Sequence, residues 1–199
     1  MKPFVLVVGL GKTGVSIARY LQRKGTAFLI FDTREAPPNL NAFYSEFPNA
    51  LVCLGDSGAV DLSQITRVIC SPGVSLDIAL LTAVRAHGLL IESDMDCFAV
   101  EISAPVVAIT GTNGKSTVTQ LLGEAAIASG RRVGIAGNIG APVLDYLHAA
   151  EPPESIDLWV LELSSFQLDI THALKPLAAT FLNLSDDHLD RHHNSAAYA

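Results

Sequence analysis

The feature that most constrains the fold is a pair of glycine-rich turns, each lying between a short apolar run and an amphipathic run. The first turn, Gly9–Gly14, follows the apolar segment Phe4–Val8, and the second, Gly111–Thr117, follows Val106–Thr110. A buried strand that leads through a glycine turn into a helix is the opening unit of doubly wound α/β folds. The sequence therefore predicts two α/β units, each with its own parallel sheet.

Further apolar runs rich in β-branched residues predict the strands that complete these sheets. They are Phe28–Phe31, Leu51–Leu54, Arg67–Cys70 and Leu89–Ile91 in the first half, and Arg132–Ile135, Leu158–Leu163 and Thr180–Leu182 in the second. A charged segment over residues 92–96 separates the two series. We expect a Rossmann-like domain over residues 1–93 and part of a P-loop ATPase-type α/β domain over residues 94–199.

Two helices are predicted directly after the glycine turns, because apolar residues recur there at helical spacing. The first helix presents a stripe of Gly14, Ile17, Ala18 and Leu21. The second helix, Ser116–Ser129, presents Val118, Leu121, Leu122 and Ala125. We expect both stripes to face their sheets.

Charge and composition exclude several classes of protein. The 199 residues include 13 basic and 20 acidic side chains, for a net charge of −7, whereas general nucleic-acid binders carry a basic surface. The chain lacks an apolar run of the roughly 18 residues that a membrane span needs. Cys53, Cys70 and Cys97 include no CxxC pair, which favours reduced thiols over a zinc site or disulfides. We expect a cytoplasmic protein that holds anionic ligands through local features.

The first turn matches the G-x-G-x-x-G pattern in the strand–turn–helix setting where that pattern binds dinucleotides. Gly11 lets the backbone approach a pyrophosphate, and the helix that follows supplies unpaired N–H groups. Asp32 ends the next strand, where a carboxylate can accept hydrogen bonds from a nucleoside, and Arg34 can contact a base. Lys12 either adds charge near a phosphate or is solvated. NAD binding, and with it an oxidoreductase, is the main alternative for this turn.

The second turn carries the chemistry of a phosphate-binding loop, although its G-x-x-G-K-S is shorter than the usual Walker pattern. Lys115 can reach the β- and γ-phosphates of a nucleotide, and the Ser116 hydroxyl can ligate Mg²⁺. Glu162 ends a later apolar strand, where P-loop proteins place an acid that faces the metal. His188 follows another strand in a run of acids. A non-catalytic nucleotide-binding module that regulates a partner is the alternative here.

Several segments together resemble the Mur ligases of peptidoglycan synthesis. They are Gly111–Thr117, Gly137–Gly140 (GNIG), Glu162–Leu168 (ELSSFQL) and Asp187–Arg191 (DHLDR), with Gly9–Gly14, Asp32–Arg34 (DTR) and Ser71–Gly73 (SPG) in the first half. The SSFQL run and the DTR turn are similar to the family members that add D-glutamate.

The resemblance implies an ATP- and Mg²⁺-dependent ligase that adds D-glutamate to UDP-N-acetylmuramoyl-L-alanine through an acyl phosphate, releasing ADP and phosphate. It implies that the first domain binds the UDP-sugar through Gly11, Lys12, Thr13, Asp32, Thr33, Arg34, Ser71 and Gly73, together with Asn138. It implies ATP on Gly111, Thr112, Asn113, Gly114, Lys115, Ser116 and Thr117. Ser116 and Glu162 would bind one Mg²⁺ and His188 a second, and the expected catalytic residues are Lys115, Asn138, Glu162 and His188.

The resemblance also implies that the chain is a fragment. Family members continue with the rest of the central sheet, a carbamoylated lysine that helps to bind the second metal, and a C-terminal domain that contacts D-glutamate. We therefore expect residues 1–199 to bind substrate without turning over alone. The expected partners are small molecules, with neither nucleic acid nor membrane, and the expected cellular roles are cell-wall biogenesis, cell shape and cell division.

Overall fold

A computed structural model of the chain describes residues 4–148, 155–187 and 198. The chain divides into two compact units, Met1–Asp94 and Met95–Ala199. Each unit is built around one sheet whose paired strands all run parallel. Among the helices of the described part of the chain, none combines the length and apolar character of a membrane span.

The first unit contains a five-stranded sheet in the order β3-β2-β1-β4-β5. Its strands are β1 (Phe4–Val8), β2 (Phe28–Asp32), β3 (Leu51–Leu54), β4 (Ile65–Cys70) and β5 (Ile91–Glu92). Its helices are α1 (Lys12–Arg23), α2 (Leu40–Glu46) and α3 (Ala79–Ala86), with short 3₁₀ turns at Ser57–Ala59 and Leu62–Gln64. The chain runs outward from β1 through β2 to β3 and then returns to place β4 on the other side of β1. A reversal of this kind opens a crevice at the carboxyl ends of the central strands.

The second unit contains a four-stranded sheet in the order β7-β8-β6-β9. Its strands are β6 (Val106–Thr110), β7 (Val133–Gly137), β8 (Leu158–Glu162) and β9 (Ala178–Phe181). Helix α4 (Asp94–Ala99) precedes them, α5 (Lys115–Ala128) follows β6, a 3₁₀ helix spans Val143–His148, and α6 (Ser165–Leu168) follows β8. Strand β6 again lies inside the sheet, so the glycine turn that follows it opens between neighbouring strand ends.

Each unit has its own core. Apolar residues of β1, β2 and β4, among them Phe31, fill the first, and α1 buries Gly14, Ile17, Ala18 and Leu21 against them, which is the predicted stripe. The second core is centred on Trp159, whose ring packs edge-on against Phe98 at 4.9 Å between ring centroids. These packed sheets fix the strand ends on which the candidate sites lie.

The predicted stripe of the second helix is only partly right, because Val118 and Leu122 are half-buried whereas Leu121 and Ala125 are exposed. Helix α5 buries Thr119 and Gly123, whereas Leu121 is 61% exposed. Space explains the difference, because a Cβ added at Gly123 would lie 2.2 Å from Cδ1 of Ile135. The helix therefore turns Gly123 toward β7, and apolar spacing alone does not predict that orientation.

Candidate functional site

The first candidate site is a cavity of about 440 Å³ at the carboxyl ends of β1, β2 and β4. The residues that line it include Gly11, Asp32, Thr33, Arg34, Ser71 and Gly73, all of them predicted substrate-binding residues. Two others from that prediction, Lys12 and Thr13, form the first turn of α1 outside this lining. The sheet topology thus brings three separate chain segments to one crevice.

The glycine turn of this unit is fixed by close packing against α1. A Cβ added at Gly14 would lie 1.9 Å from the carbonyl oxygen of Gly9, whereas one added at Gly11 would meet no atom within 4 Å. Gly14 therefore serves the contact between helix and turn. Gly11 leaves the backbone open toward the cavity, as the approach of a pyrophosphate requires.

Asp32 is almost completely buried, with 3% of its side chain exposed. Its Oδ2 accepts hydrogen bonds from the Leu10 amide at 2.7 Å and from Nη2 of Arg34 at 2.8 Å. Its Oδ1 accepts from the Arg34 amide at 2.9 Å and from Nε of Arg34 at 2.8 Å. Burial raises the pKa of Asp32, but the hydrogen bonds from Arg34 and Leu10 outweigh burial and hold that pKa below its ordinary value. Both oxygens are thus engaged within the protein, which argues against the ribose contact of an NAD site.

The second candidate site is a cavity of about 320 Å³ at the carboxyl ends of β6, β7, β8 and β9. Gly111, Lys115 and Asn138 line it. Ser116 and Thr117 follow in the first turn of α5, and both are exposed. His188 lies outside the described residues, so the structure gives no position for the second predicted metal ligand.

The Gly111–Thr117 turn is held by the segment that follows β9. The Asn113 amide donates to Oδ1 of Asn183 at 2.9 Å, and Nδ2 of Asn183 donates back to the Asn113 carbonyl at 2.9 Å. The Thr112 amide donates to the Asn183 carbonyl at 2.9 Å. The Thr112 hydroxyl donates to the Ser185 carbonyl at 3.2 Å and accepts from the Ser185 amide at 3.0 Å. The turn is therefore shaped by contacts some 70 residues away in sequence.

Lys115 is folded over its own turn. Its Nζ donates to the carbonyls of Gly111 at 2.7 Å and Thr112 at 2.9 Å. The cation thus lies at the mouth of the turn and lines the cavity. An anionic phosphate placed there would compete with two neutral carbonyls for it, and charge-assisted hydrogen bonds are the stronger kind.

Glu162 presents a buried carboxylate that is only half satisfied. It is 1% exposed, and its Oε1 accepts a hydrogen bond from Nδ2 of Asn138 at 2.9 Å. Its Oε2 is buried and has no hydrogen-bond partner among the described residues. An unpaired buried carboxylate oxygen is costly, and a cation removes that cost.

A magnesium ion fits this donor set. Mg²⁺ prefers oxygen ligands, is often held by one or two carboxylates, and takes the rest of its shell from water and phosphate. Within residues 4–148, 155–187 and 198, no group of three or more His, Cys, Asp or Glu side chains could hold a metal. A metal site here therefore depends on Glu162, a hydroxyl such as that of Ser116, and oxygens of the nucleotide itself.

Close backbone packing between the ends of β7 and β8 brings Asn138 within hydrogen-bonding distance of Glu162. A Cβ added at Gly137 would lie 2.0 Å from the Glu162 carbonyl oxygen, so only glycine lets the end of β7 come this close to β8. The Asn138 amide then donates to that carbonyl at 2.8 Å. The GNIG segment thus sets the position of the Asn138 side chain.

Comparison with known proteins identifies the family. Residues 3–93 match the family described as Mur ligase MurD-like, N-terminal domain, and residues 109–199 match the Mur ligase middle domain. The chain belongs to the Mur ligase family. The resemblance inferred from the sequence motifs is confirmed.

Curated members of the Mur ligase family match the chain at high identity. It is 57% identical over 193 residues to the UDP-N-acetylmuramoylalanine–D-glutamate ligase of Legionella pneumophila (strain Lens), with 97% of this chain and 42% of that relative covered. It is 47% identical over 195 residues to the enzyme of the same name from Pseudomonas aeruginosa, with 98% of this chain and 42% of that relative covered. The chain thus spans less than half the length of these relatives.

A solved Mur ligase structure supports the fold. The chain aligns over its full length with 65% of UDP-N-acetylmuramate:L-alanyl-gamma-D-glutamyl-meso-diaminopimelate ligase from Neisseria meningitides, at a TM-score of 0.55 and 17% identity. The predicted α/β fold, a Rossmann-like parallel sheet followed by a P-loop-type α/β unit, is confirmed.

Several residues of this Mur ligase cavity carried no predicted role. Ser164, Ser165 and Phe166 line it, although the sequence marked them only as a family motif. Their place directly after β8 is a usable signal, because the carboxyl ends of parallel strands share one edge. The Ser164 hydroxyl is engaged in a capping box with Gln167. Tyr198 also lines the cavity, with its hydroxyl 3.0 Å from that of Thr112, and no sequence pattern pointed to it.

Proposed function

We propose that this chain supplies the UDP-sugar and ATP sites of a ligase that adds D-glutamate to UDP-N-acetylmuramoyl-L-alanine in peptidoglycan synthesis. One observation carries the proposal: the second cavity joins Lys115 to Asn138, and Asn138 binds a buried Glu162 with one unpartnered oxygen. That arrangement suits a metal-bound triphosphate. The identity to D-glutamate ligases over nearly the whole chain supports the choice of substrates.

In the proposed reaction the alanyl carboxylate of the substrate attacks the γ-phosphate of ATP and releases ADP, and the amine of D-glutamate then displaces phosphate from the acyl phosphate to form the amide. Both partners in the first step are anions and repel each other. Lys115 counters this repulsion by leaving the carbonyls of Gly111 and Thr112 and binding phosphate oxygens. The backbone N–H groups of Gly111–Thr117 add further donors to the phosphates.

Mg²⁺ bound to Glu162 and Ser116 would supply charge neutralisation and orient the transfer in line. Asn138 holds Oε1 of Glu162, so that Oε2 is the oxygen left for the ion. We assign His188 to a second Mg²⁺ on the family resemblance alone.

We propose that residues 1–93 bind the UDP part of the substrate and residues 94–199 bind ATP. Gly11 and the first turn of α1, with Lys12 and Thr13, face the pyrophosphate, Thr33 and Arg34 face the uracil, and Ser71 and Gly73 face the sugar. Support comes from the cavity at the ends of β1, β2 and β4 and from the N–H groups at the start of α1. We propose the cytoplasm as the compartment, since Cys53, Cys70 and Cys97 form no disulfide.

The direct test is a calorimetric titration of the folded 199-residue chain with UDP-N-acetylmuramoyl-L-alanine, with NAD⁺ as the competing candidate. We expect binding of the UDP-sugar and none of NAD⁺. A folded sample that gives no heat with the UDP-sugar would contradict the proposal. In parallel, D-glutamate-dependent ADP release is expected from the full-length protein and not from residues 1–199 alone, and offering the full-length protein other amino acids tests the choice of D-glutamate.

A further inference from the structure

The Gly111–Thr117 turn is shorter than the usual phosphate-binding loop. It contains G-x-x-G-K-S, whereas the Walker pattern is G-x-x-x-x-G-K-S. A longer loop can wrap a phosphate with its own backbone amides. A shorter turn has fewer residues with which to fix its shape, so its shape depends more on contacts from elsewhere in the chain.

The side chain of Asn183 pairs with this turn in the way that a neighbouring strand does. Its Oδ1 accepts a hydrogen bond from the Asn113 amide at 2.9 Å, and its Nδ2 donates to the Asn113 carbonyl at 2.9 Å. Two bonds exchanged with one residue are the pattern of a hydrogen-bonded pair in an antiparallel ladder. Both polar atoms of the Asn183 side chain therefore act on a single residue of the turn and fix its orientation.

This pairing decides which groups of the turn can face a phosphate. Neither Asn113 nor Asn183 lines the second cavity, so the bond to Asn183 directs the Asn113 carbonyl away from the space proposed for the triphosphate. A carbonyl oxygen pointing into that space would repel the phosphate oxygens. The Thr112 amide is engaged as well, since it donates to the Asn183 carbonyl at 2.9 Å.

The amides that remain for phosphate lie where the turn enters α5. The Val118 amide already donates to the Gly114 carbonyl at 3.0 Å, and the amides before it are those that the start of a helix leaves without an intrahelical partner. These amides, over residues 114–117, also carry the positive end of the helix dipole. Their direction depends on the residue that precedes them, Asn113, which Asn183 holds in place.

The backbone around Asn183 makes contacts of its own that do not need the side chain. The Leu182 amide donates to the Thr110 carbonyl at 3.0 Å, and a Cβ added at Gly111 would lie 3.1 Å from the backbone nitrogen of Asn183. These contacts persist in Asn183→Ala. Because Asn183 is exposed, its truncation also leaves no cavity in the core, so we expect the variant to fold.

We propose that Asn183 is a positioning residue for the nucleotide that acts through Asn113. Its carboxamide holds the shortened turn in the shape that directs the amides of residues 114–117 at the β- and γ-phosphates, and Asn183 itself touches no atom of the nucleotide. This inference rests on the ATP site of the proposed function.

The first test measures MgATP binding by calorimetry and the KM for ATP, in the full-length protein carrying Asn183→Ala. We expect the Kd and the KM for ATP each to rise about tenfold, because two hydrogen bonds that shape the turn are lost. The KM for the UDP-sugar should stay within about twofold of wild type. A purely structural role would reduce the active fraction and lower kcat with the KM for ATP unchanged, and that result would overturn the inference.

Amide hydrogen exchange in the nucleotide-free protein separates positioning from direct contact. In Asn183→Ala the peptide that spans the turn should exchange at least about tenfold faster than in wild type, because the Asn113 amide loses its acceptor. Exchange in β6 should be unchanged. A loss of MgATP affinity without faster exchange of the turn would mean that Asn183 contacts the nucleotide itself, and would overturn the inference.

Ser185→Ala is the matched control from the same exposed segment. Its side chain contacts the turn through a single bond from Nδ2 of Asn113 at 3.4 Å, and its backbone bonds to Thr112 do not depend on the side chain. Ser185→Ala should leave MgATP affinity within about twofold of wild type. A loss equal to that of Asn183→Ala would show that any change in this segment disturbs the site, and would count against a specific role for Asn183.

Asn183→Asp tests the pairing at constant size. It keeps an acceptor for the Asn113 amide, but it replaces the donor to the Asn113 carbonyl by an oxygen. It should lose at least as much MgATP affinity as Asn183→Ala, and wild-type affinity in Asn183→Asp would overturn the inference. Wild-type protein that binds no MgATP would instead contradict the proposed function.

Discussion

Asp32 and Glu162 occupy equivalent places in the two units, yet their surroundings differ. Each ends the strand beside the one that leads into a glycine turn: β2 beside β1, and β8 beside β6. Asp32 accepts four hydrogen bonds from within its own unit. Glu162 accepts one from Asn138 and leaves its second oxygen buried and unpartnered among the described residues.

The difference is consistent with the two ligands of the proposed function. Asp32 is already paired with the Arg34 guanidinium and needs no further cation, which suits the neutral base of the proposed UDP ligand. An unsatisfied buried carboxylate requires a positive charge, which suits a triphosphate that arrives with a metal. The acid at the strand end is therefore paired within the protein in the first unit, and in the second it has an oxygen that is free, within the described part of the chain, to bind the metal that the proposed function requires.

The largest expected effect concerns a glycine near the start of each helix: Gly14, in the first turn of α1, and Gly114, the N-cap of α5. Gly14→Ala should destabilise the first unit by more than about 3 kcal/mol, since the new Cβ would meet the Gly9 carbonyl oxygen at 1.9 Å. Gly114→Ala should cost only about 1–2 kcal/mol, from its left-handed backbone at φ +85°, because its nearest neighbour would be a Leu182 methyl group at 3.8 Å. Urea unfolding of both variants measures the difference.

Gly11→Ala is the control for this pair, because a Cβ there meets no atom within 4 Å. It should fold like wild type and weaken only UDP binding. Equal losses of stability in Gly14→Ala and Gly114→Ala would mean that the two turns are packed alike.

The second-largest expected effect distinguishes Lys115, at the start of α5, from Lys12, at the start of α1. Lys115→Ala should slow D-glutamate-dependent ADP release by the full-length protein at least about 100-fold, because Lys115 is the cation at the mouth of the phosphate turn. Lys12→Ala removes an exposed cation that is proposed to face the pyrophosphate, so it should weaken binding of the UDP-sugar while leaving the rate at saturating substrate much closer to that of wild type. A rate near wild type in Lys115→Ala would favour a regulatory nucleotide-binding module.

A smaller effect tests whether the hydrogen bond from Asn138 orients the Glu162 carboxylate for metal binding. Asn138→Ala removes the donor to Oε1, so the Glu162 carboxylate loses its fixed orientation. The Mg²⁺ concentration that the full-length protein needs for half-maximal activity should therefore rise about 10- to 100-fold. Binding of Mn²⁺ with nucleotide, followed by electron paramagnetic resonance, gives a readout independent of turnover. Asp32→Asn is the counterpart from the first unit and should leave metal affinity unchanged. Unaltered Mn²⁺ affinity in Asn138→Ala would show that Glu162 needs no support from Asn138.

Most of the fold could be predicted from the sequence, because apolar runs and glycine turns are local signals. Strand spacing also predicted that Asp32 and Glu162 lie at strand ends. The full set of donors to their oxygens could not be predicted. Arg34, two residues on, supplies three of the four donors to Asp32, but the fourth lies 22 residues away at Leu10, and the donor to Glu162 lies 24 residues away at Asn138. The position of those donors depends on close backbone packing at Gly14 and Gly137, which no pattern of residue types encodes. The exposed side of α5 was also not predicted correctly, because it depends on the close packing of Gly123 against Ile135.

The smallest expected effect is the acid response of Asp32. Its pKa lies below the ordinary value of 3.8, since hydrogen bonds from Arg34 and Leu10 outweigh the opposing effect of burial. A carboxyl with a lowered folded pKa stabilises the fold above its unfolded pKa, and that contribution is lost as the pH falls through the folded value. Carboxyl-carbon NMR of Asp32 should therefore show titration below 3.8 in wild type. In Arg34→Ala burial is less opposed, so the pKa should rise and acid unfolding should begin at higher pH. Titration of wild-type Asp32 at or above 3.8 would mean that its internal donors do not hold it in solution, and the contrast with Glu162 would then fail.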